Sequence, residues 1–185
     1  MEKDEYMKEK SMVGIILGSD SDLPKVKDCF TVLEDFGIDF EIIVSSAHRT
    51  PEQTMEWVRS ARDRGLRVII AVAGGAAHLP GVVASHTTLP VIGVPIETNI
   101  AGGLDSLLSI LQMPGGIPVA TMPSGRAGGM NAALFAINII GVTDKATEEK
   151  LLQYRQKMGE KIAAKNESLR SMGHKEYIAS LEAKK

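Results

Sequence analysis

The stretch Val13–Asp22 reads VGIILGSDSD and decides the fold. An unbroken apolar run gives way at once to a glycine and a series of short polar residues. A continuous apolar run is typical of a strand covered on both faces, because a strand with one exposed face alternates apolar and polar residues. The glycine lets the chain turn tightly and approach a ligand closely. The stretch therefore predicts a buried strand over Val13–Leu17 that ends in a polar loop.

The segment that follows has helical spacing. Leu23, Val26, Phe30, Leu33 and Phe36 recur every three or four positions, which places them on one face of a helix. The glycine at position 37 is a favourable helix terminator, and the segment 40–44 is predicted to be a second strand. This strand–helix–strand order indicates a parallel pair with a helical crossover.

The same alternation continues to residue 141. Thr50, Pro51 and Gln53 predict a helix start with an N-cap, a proline at the first position and a capping box, and this helix should end near Gly65. Further strands are predicted over Val68–Ala73, Pro90–Val94 and Val119–Met122, and further helices over Leu104–Gln112 and Gly129–Ile140. The pattern predicts an α/β fold: a single-domain doubly wound parallel sheet, a flavodoxin-like three-layer αβα sandwich with strand order 2-1-3-4-5.

The ends of the chain differ from this core. Residues 1–11 are mostly charged and are expected to form a flexible tail, and residues 12–142 form the catalytic domain. Residues 143–182 are rich in Lys, Glu, Ala, Leu and Gln, with Leu151, Tyr154, Met158 and Ile162 at helical spacing. They predict a long C-terminal helix that packs on another subunit.

Bulk composition excludes several classes. The 185 residues carry a formal net charge of −2, which disfavours a nucleic-acid partner because such proteins usually carry a basic surface. The single cysteine, Cys29, excludes an internal disulfide. The sequence has neither a signal-peptide core nor an apolar stretch of about 20 residues, so we expect a cytoplasmic protein without membrane contact.

The first polar loop offers phosphate and ribose ligands. Ser19 adds a hydroxyl donor beside the free amides of a helix start, an arrangement that suits a phosphate. Asp22 is placed to accept hydrogen bonds from ribose hydroxyls. The alternative is an ordinary strand–turn–helix in which Asp22 is the N-cap.

The second strand is followed by Ser46, Ala47, His48 and Arg49. An arginine forks readily onto phosphate, and a histidine gives and takes protons near neutral pH. The alternative is a solvated loop capped by Thr50.

The third strand is followed by small residues that expose backbone amides and leave room for a flat ring or a carboxylate. His78 is expected to cap the helix or to support the site indirectly, and His86, beside two threonines, is expected to be structural. The three loops should meet, since ligands of such sheets bind at the carboxyl ends of the strands. The residues of the third loop are Gly74, Gly75, Ala76, Ala77, His78 and Leu79.

Together these motifs resemble the class I N5-carboxyaminoimidazole ribonucleotide mutases of bacterial-type purine biosynthesis. The resemblance covers about residues 13–141 in the family's order. The matching stretches are Gly18–Asp22, Ser46–Pro51, Ala73–Gly81, Leu89–Pro95, Gly103–Pro114 and Asn131–Leu134.

The resemblance implies a reaction and a division of labour. A carboxylate moves from the exocyclic nitrogen to ring carbon C4, through decarboxylation and recarboxylation, with His48 as general acid and base. Ser19 and Arg49 match the phosphate positions and Asp22 the ribose position, while Ser46, Ala47 and the segment 74–79 match the wall around the imidazole. The family implies no metal, no organic cofactor and a homo-octamer.

Two alternatives stay open at this point. One is an aminoimidazole ribonucleotide carboxylase that uses carbon dioxide directly; its animal-type relatives read Gly-Arg-Ser-Asn in the third loop and lysine after the histidine, so Arg49 and His78 favour the mutase. The other is a nucleotide-binding sensor, which has no need of His48. The sequence departs from the family at Glu97-Thr98-Asn99 and at Pro123-Ser124, and Glu97 adds a negative charge near the expected substrate.

Overall fold

A computed structural model describes residues 12–183 and contains one parallel five-stranded sheet of order β2-β1-β3-β4-β5. This is the strand order predicted from the sequence, and the flavodoxin-like α/β fold is confirmed. The strands are β1 (Val13–Leu17), β2 (Phe40–Val44), β3 (Val68–Gly74), β4 (Val91–Ile96) and β5 (Ala120–Thr121).

The strand register brings the carboxyl ends of three strands to one level. Leu17 at the end of β1 pairs with Val44 at the end of β2 and with Val72 near the end of β3. The loops that follow these strands therefore leave the sheet side by side.

Helices cover both faces of the sheet. They are α1 (Lys27–Phe36), α2 (Pro51–Arg59), α3 (Leu79–Ser85), α4 (Leu104–Leu111), α5 (Gly125–Gly141) and α6 (Lys145–Glu182).

Alternate strand residues feed the two layers, because successive side chains of a strand point to opposite faces. Ile15 and Ile70 pack into one core with residues of α1 and α5. Ile16 and Ile69 pack into the other, with residues of α2, α3 and α4. Two apolar cores separated by the sheet account for the apolar runs in β1 and β3.

The first crossover begins differently from the prediction. The chain forms a 3-10 helix over Asp20–Val26, with Pro24 inside it, before α1 starts at Lys27. Ser19 is the N-cap and its Oγ accepts a hydrogen bond from the amide of Ser21 at 3.3 Å. The alternative that made Asp22 the N-cap is therefore wrong. Proline has no amide hydrogen for a helical bond, so the regular α-helix is delayed.

The start of α2 confirms Thr50 as N-cap and Pro51 at the first turn, but the capping box does not form. The Thr50 hydroxyl instead bonds to the backbone of Ser46. The helix ends at Arg59, and turns carry the chain on to Gly65.

Other boundaries shifted as well. The helix α3 was not predicted, because Pro80 and Gly81 near its start are usual loop residues. The helix α5 begins at Gly125 rather than Gly129, β4 continues to Ile96, and β5 is shorter than predicted.

The thiol of Cys29 lies in the core beside α5 and the sheet. Only 1% of its surface is exposed, and burial raises its pKa to about 12, since the charged thiolate loses its hydration in an apolar setting.

The long C-terminal helix α6 is confirmed. Asp144 caps it, accepting a hydrogen bond from the amide of Ala146 at 3.0 Å, and Leu151 and Tyr154 pack against the core. Residues 155–171 are exposed along their whole length, and Gly173 interrupts the helix with φ 74°. The predicted tail 1–11 lies outside the described residues. Within residues 12–183, no helix combines the length and apolar character needed to cross a membrane.

Candidate active site

A cleft of about 490 Å³ opens at the carboxyl edge of the sheet. The loops after β1, β2 and β3 all contribute to it, as predicted from their positions. Its volume suits a small organic ligand. The predicted site residues that line it are Ser19, Asp22, Ser46, Ala47, His48, Arg49, Gly74, Ala77, His78 and Leu79.

The first loop presents two hydroxyls and a carboxylate. The Oγ atoms of Ser19 and Ser21 lie 2.8 Å apart, so one hydroxyl donates to the other. Asp22 is buried, with 7% of its surface exposed, and the Nζ of Lys25 lies 3.3 Å from its Oδ1. The carboxylate is thus held in a fixed place, with one oxygen occupied by an ammonium group.

The second loop is a tight turn held by its own side chains. The amide of Thr50 donates to the carbonyl of Ser46 at 2.9 Å, and the amide of Arg49 donates to the Oγ of Ser46 at 3.2 Å. Because Ser46 is used in this way, it orders the turn that presents His48 and Arg49. The guanidinium of Arg49 donates to the carbonyl of Gly18 at 3.2 Å, which ties the second loop to the first.

The third loop brings a second imidazole to the site. The Nε2 of His48 lies 2.8 Å from the Nδ1 of His78, and the ring centroids are 4.9 Å apart with the planes at 67°. In such a contact one nitrogen must carry the hydrogen and the other must accept it. His78 occupies the N-cap position of α3 but makes no side-chain cap, so the expected capping role is wrong and its observed partner is His48.

Two predicted residues of this loop lie outside the cleft. Gly75 and Ala76 are absent from its lining. The amide of Gly75 donates instead to the Oγ of Ser106 at 2.9 Å, and Ser106 is fully buried. This bond anchors the loop to α4, and the Gly75 amide serves the scaffold rather than the cleft.

Four residues outside the three predicted loops also line the cleft: Lys25 and Ile96, which the sequence reasoning missed, and Glu97 and Thr98, which it noted only as departures from the family. The last three lie at and just after the end of β4, whose length was underestimated. Lys25 could have been predicted from its spacing. It lies three positions after Asp22, and helical residues three apart lie on one face.

The loop after β4 is stabilised by a hydrogen bond to α4. The hydroxyl of Thr98 donates to the Oδ1 of Asp105 at 2.6 Å, and this bond holds the pKa of the Asp105 carboxyl below its usual range. Glu97 lines the cleft beside these residues. This agrees with the sequence analysis, which noted Glu97 as a departure from the family near the expected substrate. The cleft therefore combines the cations Lys25 and Arg49 with the anions Asp22 and Glu97.

This donor set has a recognisable chemical use. Hydroxyls and a guanidinium bind phosphate oxygens, a carboxylate accepts bonds from sugar hydroxyls, and an imidazole transfers protons near neutral pH. Within residues 12–183, no three His, Cys, Asp or Glu side chains are grouped as metal ligands.

The sequence and the fold are similar to those of known proteins. The N5-carboxyaminoimidazole ribonucleotide mutase of Pyrococcus horikoshii is 53% identical over 171 residues, which cover 92% of this chain and 96% of that protein. The phosphoribosylaminoimidazole carboxylase of Saccharomyces cerevisiae is 47% identical over 91% of this chain but only 29% of its own length.

A solved structure agrees with the fold. The crystal structure of Treponema denticola PurE matches with a TM-score of 0.78 and 29% identity, covering 85% of this chain and 98% of that one. The family model described as AIR carboxylase matches residues 12–161, which include every residue of the cleft. The chain therefore belongs to the AIR carboxylase family.

Proposed function

We propose that this chain is a mutase that converts N5-carboxyaminoimidazole ribonucleotide to 4-carboxy-5-aminoimidazole ribonucleotide in purine biosynthesis. The observation that carries the proposal is identity of about half over nearly the full length of both chains with the Pyrococcus horikoshii mutase. The cleft supplies side chains for each part of such a substrate.

The proposed binding mode follows from the three loops. Ser19 and Arg49 bind the phosphate, because a hydroxyl and a guanidinium both donate to its oxygens. Asp22 binds the ribose hydroxyls with the carboxylate oxygen that Lys25 leaves free. The small residues Gly74 and Ala77 leave room for the flat imidazole beside His48.

The proposed reaction balances with one proton carrier. The bond between the exocyclic nitrogen and the carboxyl carbon breaks, carbon dioxide is released, and His48 gives a proton to the nitrogen. Carbon C4 then attacks the trapped carbon dioxide, and His48 takes back the proton that C4 loses. The carboxyl carbon has the same oxidation state when it leaves as carbon dioxide and when it is added to C4. The reaction therefore needs neither a redox partner nor ATP.

His78 has a supporting role in this scheme. Its Nδ1 lies within hydrogen-bonding distance of the Nε2 of His48, so it restrains the orientation of that ring. Because both loops are anchored to the sheet, the imidazole of His48 is positioned before the substrate arrives, which lowers the cost of reaching a reactive geometry.

The principal alternative is a carboxylase that takes carbon dioxide from solution, which the name of the yeast relative favours. The deciding assay follows the ultraviolet absorbance of the product when N5-carboxyaminoimidazole ribonucleotide is supplied without ATP and without added bicarbonate. We expect full turnover, because the migrating carboxyl group comes from the substrate itself. Turnover only of aminoimidazole ribonucleotide with added bicarbonate would assign the carboxylase activity instead.

Replacement of His48 separates catalysis from binding. We expect His48→Asn to bind the nucleotide with an affinity close to that of the wild type, since asparagine is similar in size and keeps a hydrogen-bonding group. Its kcat should fall by roughly 10²–10⁴-fold, the usual contribution of a positioned acid or base. A near-normal kcat of the variant would contradict the assigned role of His48, whereas a wild-type protein that binds the nucleotide without turning it over would favour the sensor alternative.

Replacement of Arg49 tests the phosphate site. We expect Arg49→Ala to weaken nucleotide binding by roughly 10–100-fold, because a charge-assisted hydrogen bond contributes about 1.5–3 kcal/mol. Titration calorimetry with the product measures the affinity. Arg170→Ala, on the exposed part of α6, is the matched control and should bind normally. Equal affinities for the two variants would remove Arg49 from the phosphate site.

The functional assembly that we propose is a cytoplasmic homo-octamer. The lone buried thiol suits a reducing compartment. Large apolar side chains are exposed on α4 and on the edge strand β2, and an unpartnered apolar surface of this kind marks a contact with another chain. These side chains are Leu104, Leu108 and Leu111 on α4, and Ile42 and Val44 on β2.

The native mass tests the assembly. We expect sedimentation to give a particle of about eight chains of 19.9 kDa each. Leu108→Glu should shift this mass downward, because a charge would be buried in the contact. Ser109→Glu, at the next position on the same helix, is the matched control. A wild-type monomer would contradict the proposal.

A further inference from the structure

A second groove lies at the opposite edge of the sheet from the active site. It has a volume of about 900 Å³ and is formed by the end of α2, the end of α3, the chain entering β4 and the segment 116–118. It shares no lining residue with the active-site cleft.

The groove carries a net positive charge among the residues that line it. Arg59 and Arg62 line it, and within residues 12–183 neither guanidinium lies within 4.0 Å of a carboxylate. The guanidinium of Arg62 donates to the Oγ1 of Thr88 at 2.9 Å, which fixes its direction. Asp63 is the single acid among the described lining residues, so the balance favours an anion.

Two hydroxyls stand beside the two arginines. The hydroxyls of Thr87 and Thr88 line the groove; they accept hydrogen bonds from the amide of Leu89 and from Arg62, so each keeps its own hydrogen for a ligand. His86 holds the carbonyl of Val82 through its Nδ1 at 2.8 Å, so Nε2 of the neutral ring is an acceptor and donates nothing to an anion. The two guanidinium groups and the hydroxyls together offer more hydrogen-bond donors than the two oxygens of a carboxylate can use. A phosphate has three free oxygens and therefore fits this set of donors better.

The other surfaces of the groove are apolar. Ala84, Ile117 and Pro118 line it together with Leu89 and Val91, and the last two are largely buried. A groove that offers donors on one side and apolar surface on the other suits an organic anion better than an inorganic one.

We propose that this groove is a second ligand site that binds a small phosphorylated organic molecule. The phosphate lies between Arg59 and Arg62, and the organic part lies on the apolar surface near Val91. The site is linked to the active site through α3, whose first residue, Leu79, lines the cleft while its last residue, Ser85, lines the groove.

Binding of adenosine 5′-monophosphate (AMP) to the full-length protein tests this proposal. The measurement uses equilibrium dialysis with the Arg49→Ala variant, which weakens the phosphate subsite of the cleft. We expect one molecule of AMP per chain, at least tenfold weaker binding after the further changes Arg59→Ala and Arg62→Ala, and no loss after Arg170→Ala. Adenosine should compete poorly and ribose 5-phosphate well, because the phosphate supplies the charge.

The mutase assay distinguishes a failure of this proposal from a failure of the proposed function. Arg59→Ala/Arg62→Ala in the otherwise wild-type chain should retain turnover, which also shows that the variant folds. The change Arg62→Gln, which removes the charge but keeps a polar side chain, offers a milder second test and should weaken AMP binding in the Arg49→Ala background. The proposal is overturned if that background binds no AMP, or if binding is unaffected by the loss of Arg59 and Arg62.

Discussion

The structure depends on the register of the parallel strands β1, β2 and β3, which brings their carboxyl ends side by side. The amide of Ser45 donates to the carbonyl of Leu17 at 2.9 Å, and the amide of Gly18 donates to the carbonyl of Val72 at 3.2 Å. These bonds extend the sheet by one step into the loops. Because the backbone itself connects the three loop starts, the side chains that follow have little freedom to separate. The cleft is therefore a consequence of strand register rather than of any one side chain.

Two further contacts turn adjacent loops into one site. Arg49 reaches from the second loop to the carbonyl of Gly18 in the first, and His48 reaches the ring of His78 in the third. Both residues belong to a turn stabilised by Ser46 and Thr50. A short polar turn, fixed at both ends, thus places a cation toward one neighbour and an imidazole toward the other.

The architecture was predictable because its signals are local and strong. The apolar runs at Val13–Leu17 and Val68–Ala73 identify buried strands, and the polar residues directly after them identify the edge that holds the site. The contact between His48 and His78 was not predictable, since it joins positions thirty residues apart through a geometry that no local pattern encodes. The same holds for Gly75, whose amide is used by Ser106 on a distant helix.

Two failures have other physical causes. The helix α3 contains Pro80 and Gly81 in its first turn, and both have a weak propensity for the helix interior. The packing of Leu79 and Val83 in the core outweighs that weak helix propensity. The end of β4 was placed two residues too early; Glu97, noted as a departure near the expected substrate, lines the cleft directly after the observed end.

The most direct measurement is a crystal structure with 4-carboxy-5-aminoimidazole ribonucleotide bound. We expect phosphate oxygens on Ser19 and Arg49, ribose hydroxyls on Asp22, and an imidazole nitrogen of His48 within roughly 3.5 Å of carbon C4 or the exocyclic amine, a distance from which a proton can be passed. A nucleotide bound in the cleft with its imidazole turned away from His48 would contradict this expectation.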